Sequence, residues 1–238
     1  MVLGMSTVSF ELRGDVALVT MDDGKANALS PASVPEISAA FDRAAEEAKA
    51  IVLTGREGKL CAGFDLRVMM SGEEGAFALL RAGSELYLKI YEHPQPVIMA
   101  STGHAIAGGA LLLGVGDVRI GVDGPFKIGL NEVSIGMPLP IFAHEIAQAR
   151  LEKRHLLAAT LGATLYAPKD AVEVGWLDRV TAPEELLPSA LAEADRLAKL
   201  PGTAYGLSKL SMRRGLTAHV RETLESDLTE ITGRMKFG

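Results

Sequence analysis

The alternation of apolar and polar positions divides the first part of the chain into strands and amphipathic helices. Residues 8–22 predict two strands joined at Gly14, because apolar positions flank a turn dipeptide. The apolar residues then follow a helical spacing to about Lys49. This predicted helix begins with an N-cap at Ser30 and has Pro31 at its first position. The unbroken apolar run over residues 50–55 then predicts a buried strand.

The same alternation continues to residue 129. We predict a loop over 55–63, followed by helices over 64–70 and 73–91. A strand over 96–102, a buried helix over 110–116, a strand over 117–122 and a short extended piece over 125–129 come next. Strands that alternate with helices indicate a mainly parallel sheet covered by helices. The predicted fold class is therefore α/β.

After about residue 140 the pattern becomes mostly helical. Helices are predicted over 145–162, 169–175, 184–200 and the last thirty residues, with one late strand at 178–182. We therefore divide the chain into an α/β core, residues 1–185, and a C-terminal helical region, residues 186–238. The last helix carries an apolar stripe that packs on its own chain or on a partner subunit, at Val220, Leu224, Leu228 and Ile231.

Bulk composition excludes several classes of protein. The chain has 238 residues, 48% of them hydrophobic, which suffices for one large core. A net charge of −6 argues against a nucleic-acid partner. The single cysteine, Cys61, cannot form an internal disulfide, and the histidines show no metal-ligand spacing, so we expect no metal. Without a visible signal peptide or membrane span, we expect a cytoplasmic protein with no membrane partner.

Two glycine-rich stretches, at 61–66 and 104–117, each lie between the end of a strand and the start of a helix. The first backbone N–H groups of a helix lack intrahelical acceptors. Two such helix starts that face each other would present a pair of N–H donors, which is an oxyanion hole. Spacing alone favours the alternative, two ordinary turns in which the glycines relieve crowding.

Glu132 is a carboxylate among apolar neighbours, which are Leu130, Val133, Ile135 and Met137. Apolar surroundings disfavour the charged form and raise a carboxyl pKa, which suits a general base. An exposed loop glutamate is an equally good interpretation from sequence. For Asp65, Asp117, His104 and Trp176 we expect structural roles, although His104 could face a pocket.

Five stretches in order, GKANALS, CAGFDL, PVIMASTGHAIAGG, GDVRIG and FKIGLNEVSIGMP, resemble the crotonase (enoyl-CoA hydratase/isomerase) superfamily. The resemblance runs from about residue 8 to residue 225. It implies a crotonase-like spiral of ββα units with a helical C-terminal trimerisation region. The implied assembly is a homotrimer or a dimer of trimers.

The resemblance also implies a substrate and its contacts. The substrate would be an acyl-CoA thioester, so that coenzyme A belongs to the substrate and no separate cofactor is implied. The N–H groups of Phe64 and Gly108 would hold the thioester oxygen. Coenzyme A would lie along two segments, represented by Lys25, Ala26 and Ala28 and by Ala62, Asp65 and Leu66.

One departure from the family pattern decides the predicted reaction. Hydratases of this family carry two glutamates, and the first of these positions holds Leu111 here, while the second matches Glu132. A double-bond shift needs one acid/base group and an enolate site, so we predict a Δ3,Δ2-enoyl-CoA isomerase. The alternatives are an enoyl-CoA hydratase that uses His104 or an ordered water, and a non-catalytic acyl-CoA binder.

The sequence gives two further expectations about surfaces. Lys209, Arg213 and Arg214 form a cationic group that we interpret as a solvated cluster rather than a coenzyme A contact. The acyl pocket is expected to draw its walls from residues 68–70, 79–91 and 137–142, which are apolar and methionine-rich.

Overall fold

The computed structural model describes residues 6–237. Residues 1–5 and 238, to which the domain limits and the signal-peptide prediction extend, lie outside the described residues. The strands are β1 Val8–Arg13, β2 Val16–Met21, β3 Ala50–Thr54, β4 Gly58–Cys61, β5 Val97–Ser101, β6 Gly103–Ile106, β7 Val118–Val122, β8 Ile128–Gly129 and β9 Arg179–Thr181. The helices are α1 Ser33–Glu47, α2 Leu66–Met69, α3 Glu73–Tyr91, α4 Gly108–Gly114, α5 Ile141–Arg150, α6 Leu156–Ala159, α7 Pro168–Val174, α8 Pro183–Ala198 and α9 Gly202–Arg234.

The described strands form two sheets. The larger has the order β1-β2-β3-β5-β7-β9, in which β1 and β2 form an antiparallel hairpin and every other pair is parallel. The smaller is parallel, with the order β4-β6-β8. The α/β class is confirmed, and the unbroken apolar runs are explained because β3 and β5 are buried along their whole length.

Both faces of the large sheet are covered. Ile51 and Leu53 of β3 belong to the main core, with the smaller sheet and most of the helices. Val52, between them, points to the opposite face, where α8 packs through Leu186 and Ala190. The core therefore lies on both faces of the large sheet. The smaller sheet packs on the face that carries Ile51 and Leu53.

The structure corrects three details of the predicted elements. The segment predicted as a loop over 55–63 contains β4, and β6 was not predicted, because strands of four residues gain their stability from each other rather than from a local pattern. Helix α1 begins at Ser33, whose N–H donates to the Ser30 hydroxyl at 3.1 Å, instead of at the proline after Ser30. The helix predicted over 145–162 is divided into α5, a 3-10 turn at Lys153–His155 and α6.

The predicted solvated cation cluster is wrong for two of its three members. The Lys209 ammonium lies 2.6 Å from Asp117 Oδ2 and its side chain is 5% exposed. The Arg213 guanidinium lies 2.7 Å from Asp117 Oδ1 and is also largely buried, whereas Arg214 is exposed. Asp117 accepts the Val97 N–H as well, so this carboxylate attaches α9 to the start of β5, as the structural role expected for Asp117 requires.

The apolar stripe of the last helix packs on its own chain. Its four members, Val220, Leu224, Leu228 and Ile231, are each 8% exposed or less, and α9 packs on α3 and α5. This decides between the two alternatives that the sequence left open for the stripe. None of the helices within residues 6–237 is long and apolar enough to cross a membrane.

We expect Asp117→Ala to lower the free energy of unfolding by about 3–5 kcal/mol, because it leaves Lys209 and Arg213 buried without their counter-ion. Asp42→Ala, which removes an exposed ion pair with Lys89, is the matched control and should cost less than about 1 kcal/mol. Urea unfolding at one protein concentration measures both. Equal losses in the two variants would contradict the role assigned to Asp117.

Candidate functional site

A pocket of about 720 Å³, including the solvent at its mouth, opens beside the smaller sheet. Its walls come from the loops after β4 and β6, from α2 to α5, from the segment before α5 and from the end of α9. The lining is Ala62, Phe64, Leu66, Met69, Leu80, Ile106, Ala107, Gly108, Leu111, Asn131, Glu132, Ile135, Met137, Pro138, Pro140, Phe142, Ile231 and Met235. Glu132 is the only ionisable side chain among these residues.

The two glycine-rich loops face each other at this pocket. Gly63 has a φ of +97°, and a Cβ at this position would lie 3.3 Å from the Gly108 nitrogen. A side chain at position 63 would therefore be strained and would also crowd the second loop. Within residues 6–237, the N–H groups of Phe64 and Gly108 have no hydrogen-bond acceptor. Two residues that line the pocket, Phe64 and Gly108, therefore each carry a backbone N–H donor without an acceptor. This favours the oxyanion-hole interpretation over two ordinary turns.

Backbone pairing explains why the Phe64 N–H is left free. Leu29 donates its N–H to Gly63 O and accepts the Asp65 N–H, both at 2.8 Å. In this parallel bridge the peptide groups on either side of Phe64 are occupied by Leu29. The N–H of Phe64 itself is not part of that pairing.

Close backbone packing explains the glycine pair that begins α4. A Cβ at Gly109 would overlap the carbonyl oxygen of Cys61 at the end of β4. A Cβ at Gly108 would lie 2.9 Å from the Tyr87 hydroxyl and 3.0 Å from the Phe64 ring. Both glycines are therefore required by the approach of the first loop, α3 and the second loop to one another.

Glu132 begins a 3-10 turn, Glu132–Ile135, that follows Asn131 and ends at Gly136 with a φ of +78°. Burial raises the pKa of Glu132 to about 7, and the backbone N–H groups of Glu132 and Asn131 partly oppose this rise. Glu132 Oε2 is buried and has no hydrogen-bond partner among the described residues. The exposed-loop alternative is therefore not supported, and both protonation states are accessible near neutral pH.

The remaining predicted site residues divide between the pocket and its surroundings. Ala62, Leu66 and Leu111 line the pocket. The segment that contains Lys25, Ala26 and Ala28 does not line it, but Ala26 O accepts the Ala62 N–H at 3.1 Å and so lies at its edge. Asp65 caps α2 by accepting the Arg67 N–H at 2.9 Å, which is a structural role. Coenzyme A contacts at these positions stay a prediction.

His104 lies outside the pocket. Its Nδ1 accepts the Lys127 N–H at 3.0 Å, and its ring meets the Phe126 ring edge-on at 5.4 Å. These contacts join β6 to the segment before β8 and support a structural explanation. Trp176 is fully buried, as expected. A hydratase that relies on His104 therefore loses its support.

Several lining residues were not found from the sequence. Of the predicted walls, Met69, Leu80 and the segment around Met137 line the pocket, whereas Val68 and Met70 do not. Only its position next to Glu132 in the sequence indicated that Asn131 could line the pocket. Ile231 and Met235 come from the far end of the chain, and nothing in their local sequence indicates which cavity they reach. Within residues 6–237, no three His, Cys, Asp or Glu side chains are grouped as metal ligands.

Comparison with known proteins identifies the family. The family model described as Enoyl-CoA hydratase/isomerase matches residues 11–233. The chain belongs to the enoyl-CoA hydratase/isomerase family. The crotonase resemblance seen in the sequence is therefore confirmed, and structural similarity confirms the crotonase fold.

Relatives in the enoyl-CoA hydratase/isomerase family carry both names. A crystal structure of a family protein from Pseudomonas syringae is 40% identical, has a TM-score of 0.90 and matches over 97% of this chain and 98% of that one. The human mitochondrial enoyl-CoA delta isomerase 1 is 27% identical over 90% of this chain and 72% of its own length. A putative enoyl-CoA hydratase from Thermus thermophilus is 32% identical over 83% of this chain and 80% of its own length.

The raised pKa of Glu132 predicts a pH-dependent stability difference for Glu132→Gln. The folded carboxyl binds its proton more tightly than the unfolded one, with a pKa of about 7 against 4.5, so this group removes stability as pH rises between those values. At about 1.4 kcal/mol per unit, the variant should gain up to about 3 kcal/mol over the natural protein at pH 8 and little at pH 4.5.

Urea unfolding at pH 4.5 and pH 8 measures this difference. Glu57→Gln, at an exposed position, is the control and should show no such pH-dependent gain. A stability difference between Glu132→Gln and the natural protein that stays the same at both pH values would show that Glu132 is not desolvated as described.

Proposed function

We propose that this protein is a Δ3,Δ2-enoyl-CoA isomerase, which moves the double bond of an acyl-CoA thioester from C3 to C2. The observation that carries the proposal is the composition of the pocket, because Glu132 is the only ionisable side chain among the described residues that line it. Members of the family act on acyl-CoA thioesters, and this substrate class comes to the chain with its family.

The proposed reaction uses one carboxylate twice. Glu132 takes a proton from C2, and the electron pair of that C–H bond delocalises into the thioester carbonyl to give a dienolate. The N–H groups of Phe64 and Gly108 hold the oxygen on which negative charge develops. The protonated Glu132 then returns the proton at C4, which leaves the double bond between C2 and C3 with no net change in atoms.

The surroundings of Glu132 support isomerisation over hydration. Hydration must activate a water molecule and also protonate the α-carbon, work that two carboxyl groups share in the hydratases. Leu111 lines the pocket at the position of the first of those groups. Most of the other wall residues are apolar, which limits water around a reactive enolate. A pKa of about 7 lets Glu132 both accept and return a proton near neutral pH.

Coenzyme A is proposed to lie along the edge of the pocket, as part of the substrate and without a separate cofactor. Its binding positions are proposed as Lys25, Ala26, Ala28, Ala62, Asp65 and Leu66. Their support is the contact of Ala26 with Ala62 and the position of Ala62 and Leu66 in the lining.

One observation favours hydration as the second candidate function. Asn131 Oδ1 is buried beside Glu132 and has no hydrogen-bond partner among the described residues. An amide oxygen and a carboxylate together could hold a water molecule in place of the missing second glutamate. A non-catalytic acyl-CoA binder is the third alternative, and it gives no reason to bury a carboxyl oxygen, Glu132 Oε2, that has no hydrogen-bond partner among the described residues.

The deciding experiment offers purified protein a 3-enoyl-CoA and a 2-enoyl-CoA in parallel, with absorbance of the conjugated thioester and product mass as readouts. We expect the 3-enoyl ester to become the 2-enoyl ester without a change in mass. Glu132→Gln should lower this turnover by about 100–10,000-fold and leave acyl-CoA binding within about threefold, because it removes the acid/base and keeps the shape. Glu57→Gln is the matched control.

Two results would overturn this assignment. Addition of water to the 2-enoyl ester at a rate equal to or above isomerisation would favour the hydratase and would show that Leu111 does not prevent hydration. Binding of both thioesters without turnover would favour the non-catalytic alternative.

A homotrimer or dimer of trimers is proposed as the assembly. Support comes from large apolar side chains that remain exposed in the single chain, including Leu157 at 71%, Leu207 at 65% and Met212 at 87%. We expect light scattering of the purified protein to give three or six times the chain mass, and a monomer mass would contradict this. A cytoplasmic location stays a prediction.

A further inference from the structure

Tyr87 of α3 contacts both residues whose N–H groups we assign to the oxyanion hole. It is 1% exposed, and its hydroxyl donates a hydrogen bond to the Gly108 carbonyl at 2.7 Å. Its ring meets the Phe64 ring edge-on, with a centroid distance of 6.1 Å and an interplanar angle of 61°. One buried side chain on a long helix therefore links the two glycine-rich loops.

Gly83 lies one helical turn before Tyr87 and therefore on the same face of α3. A Cβ at Gly83 would overlap the Phe64 ring, so this ring occupies the space that the glycine leaves. A Cβ at Gly108 would lie 2.9 Å from the Tyr87 hydroxyl and 3.0 Å from the Phe64 ring. The four residues are in close contact, so a shift of one is transmitted to the others.

The start of α4 has little other support. This helix has only seven residues, and its N-cap, Ala107, has a φ of 56° and no side-chain capping hydrogen bond. Among the described residues, Tyr87 supplies the only side-chain hydrogen bond to the first turn of α4. The Gly108 carbonyl belongs to the Gly108–Gly109 peptide, which directly follows the peptide that carries the Gly108 N–H. Loss of this bond would therefore leave the start of α4 to packing contacts, such as that of the Phe64 ring with Gly108.

We propose that Tyr87, together with Gly83, is a positioning residue that sets the separation and direction of the Phe64 and Gly108 N–H groups. This inference rests on the proposed function, because it assumes that those groups hold the thioester oxygen. Tyr87 does not line the pocket, so it acts through the two loops and not by contact with the substrate.

Tyr87→Phe tests the proposal because it removes the hydroxyl and keeps the ring. Loss of a whole oxyanion donor costs about 100–1000-fold, so a misdirected donor should lower kcat by about tenfold. KM should change by less than about twofold, and the pH profile should keep its inflection, since Glu132 is unchanged. The infrared carbonyl stretch of a bound 2-enoyl-CoA should move from its natural-protein position toward that of the free thioester.

Two further variants make the result specific. Tyr91→Phe carries the same change one turn along α3, where the ring packs against Arg213 instead of the loops, and it should keep the natural kcat and carbonyl frequency. Gly83→Ala keeps the Tyr87 hydroxyl but displaces the Phe64 ring, and it should weaken the carbonyl shift as Tyr87→Phe does. Thermal unfolding shows whether each variant is folded.

The infrared readout separates failure of this proposal from failure of the proposed function. An unchanged carbonyl frequency in folded, thioester-bound Tyr87→Phe would overturn the positioning role. A polarised carbonyl in the natural protein that Tyr87→Phe weakens, without any isomerisation, would support positioning and reject the isomerase. A thioester carbonyl that the natural protein does not polarise would overturn both.

Discussion

The structure depends on the contact of two backbone loops. The loop after β4 and the loop after β6 approach so closely that no side chain fits at Gly109 beneath Cys61 O. The pairing of β4 with β6 brings the loops together, and Leu29 fixes the first of them by occupying the peptide groups on either side of Phe64. Because the donors are backbone groups, their position is set by the packing of the two loops and not by the rotamers of the donor residues' own side chains.

A second constraint is the environment of Glu132. The pocket that raises its pKa to about 7 also makes its charged form unfavourable in the folded state. The proposed function benefits from this conflict, because a raised pKa makes the Glu132 carboxylate a stronger base toward the C2 proton. The stability that the folded protein loses when Glu132 ionises and the proposed chemistry therefore have the same physical origin. Both come from the apolar pocket wall around this one carboxyl group.

Charges elsewhere in the protein serve the fold. Asp117 gathers Lys209 and Arg213 in a buried cluster that holds α9 on the body. The far end of the same helix places Ile231 and Met235 in the pocket wall. Two members of the cluster and part of the pocket wall therefore come from one helix. The burial of the cations could not be predicted from the sequence because their partner, Asp117, is about ninety positions away along the chain.

The sequence by itself determined the α/β class, most strands and helices, the glycine-rich loops and the isolated Glu132, because each depends on a local pattern of apolar spacing, glycine or charge. Only the tertiary structure decided the β4–β6 pairing, the burial of Lys209, the exclusion of His104 from the pocket and the link from Tyr87 to both loops. These features arise from contacts between distant segments. No local pattern encodes them, since a four-residue strand or a buried ion pair is stable only when its partner is present.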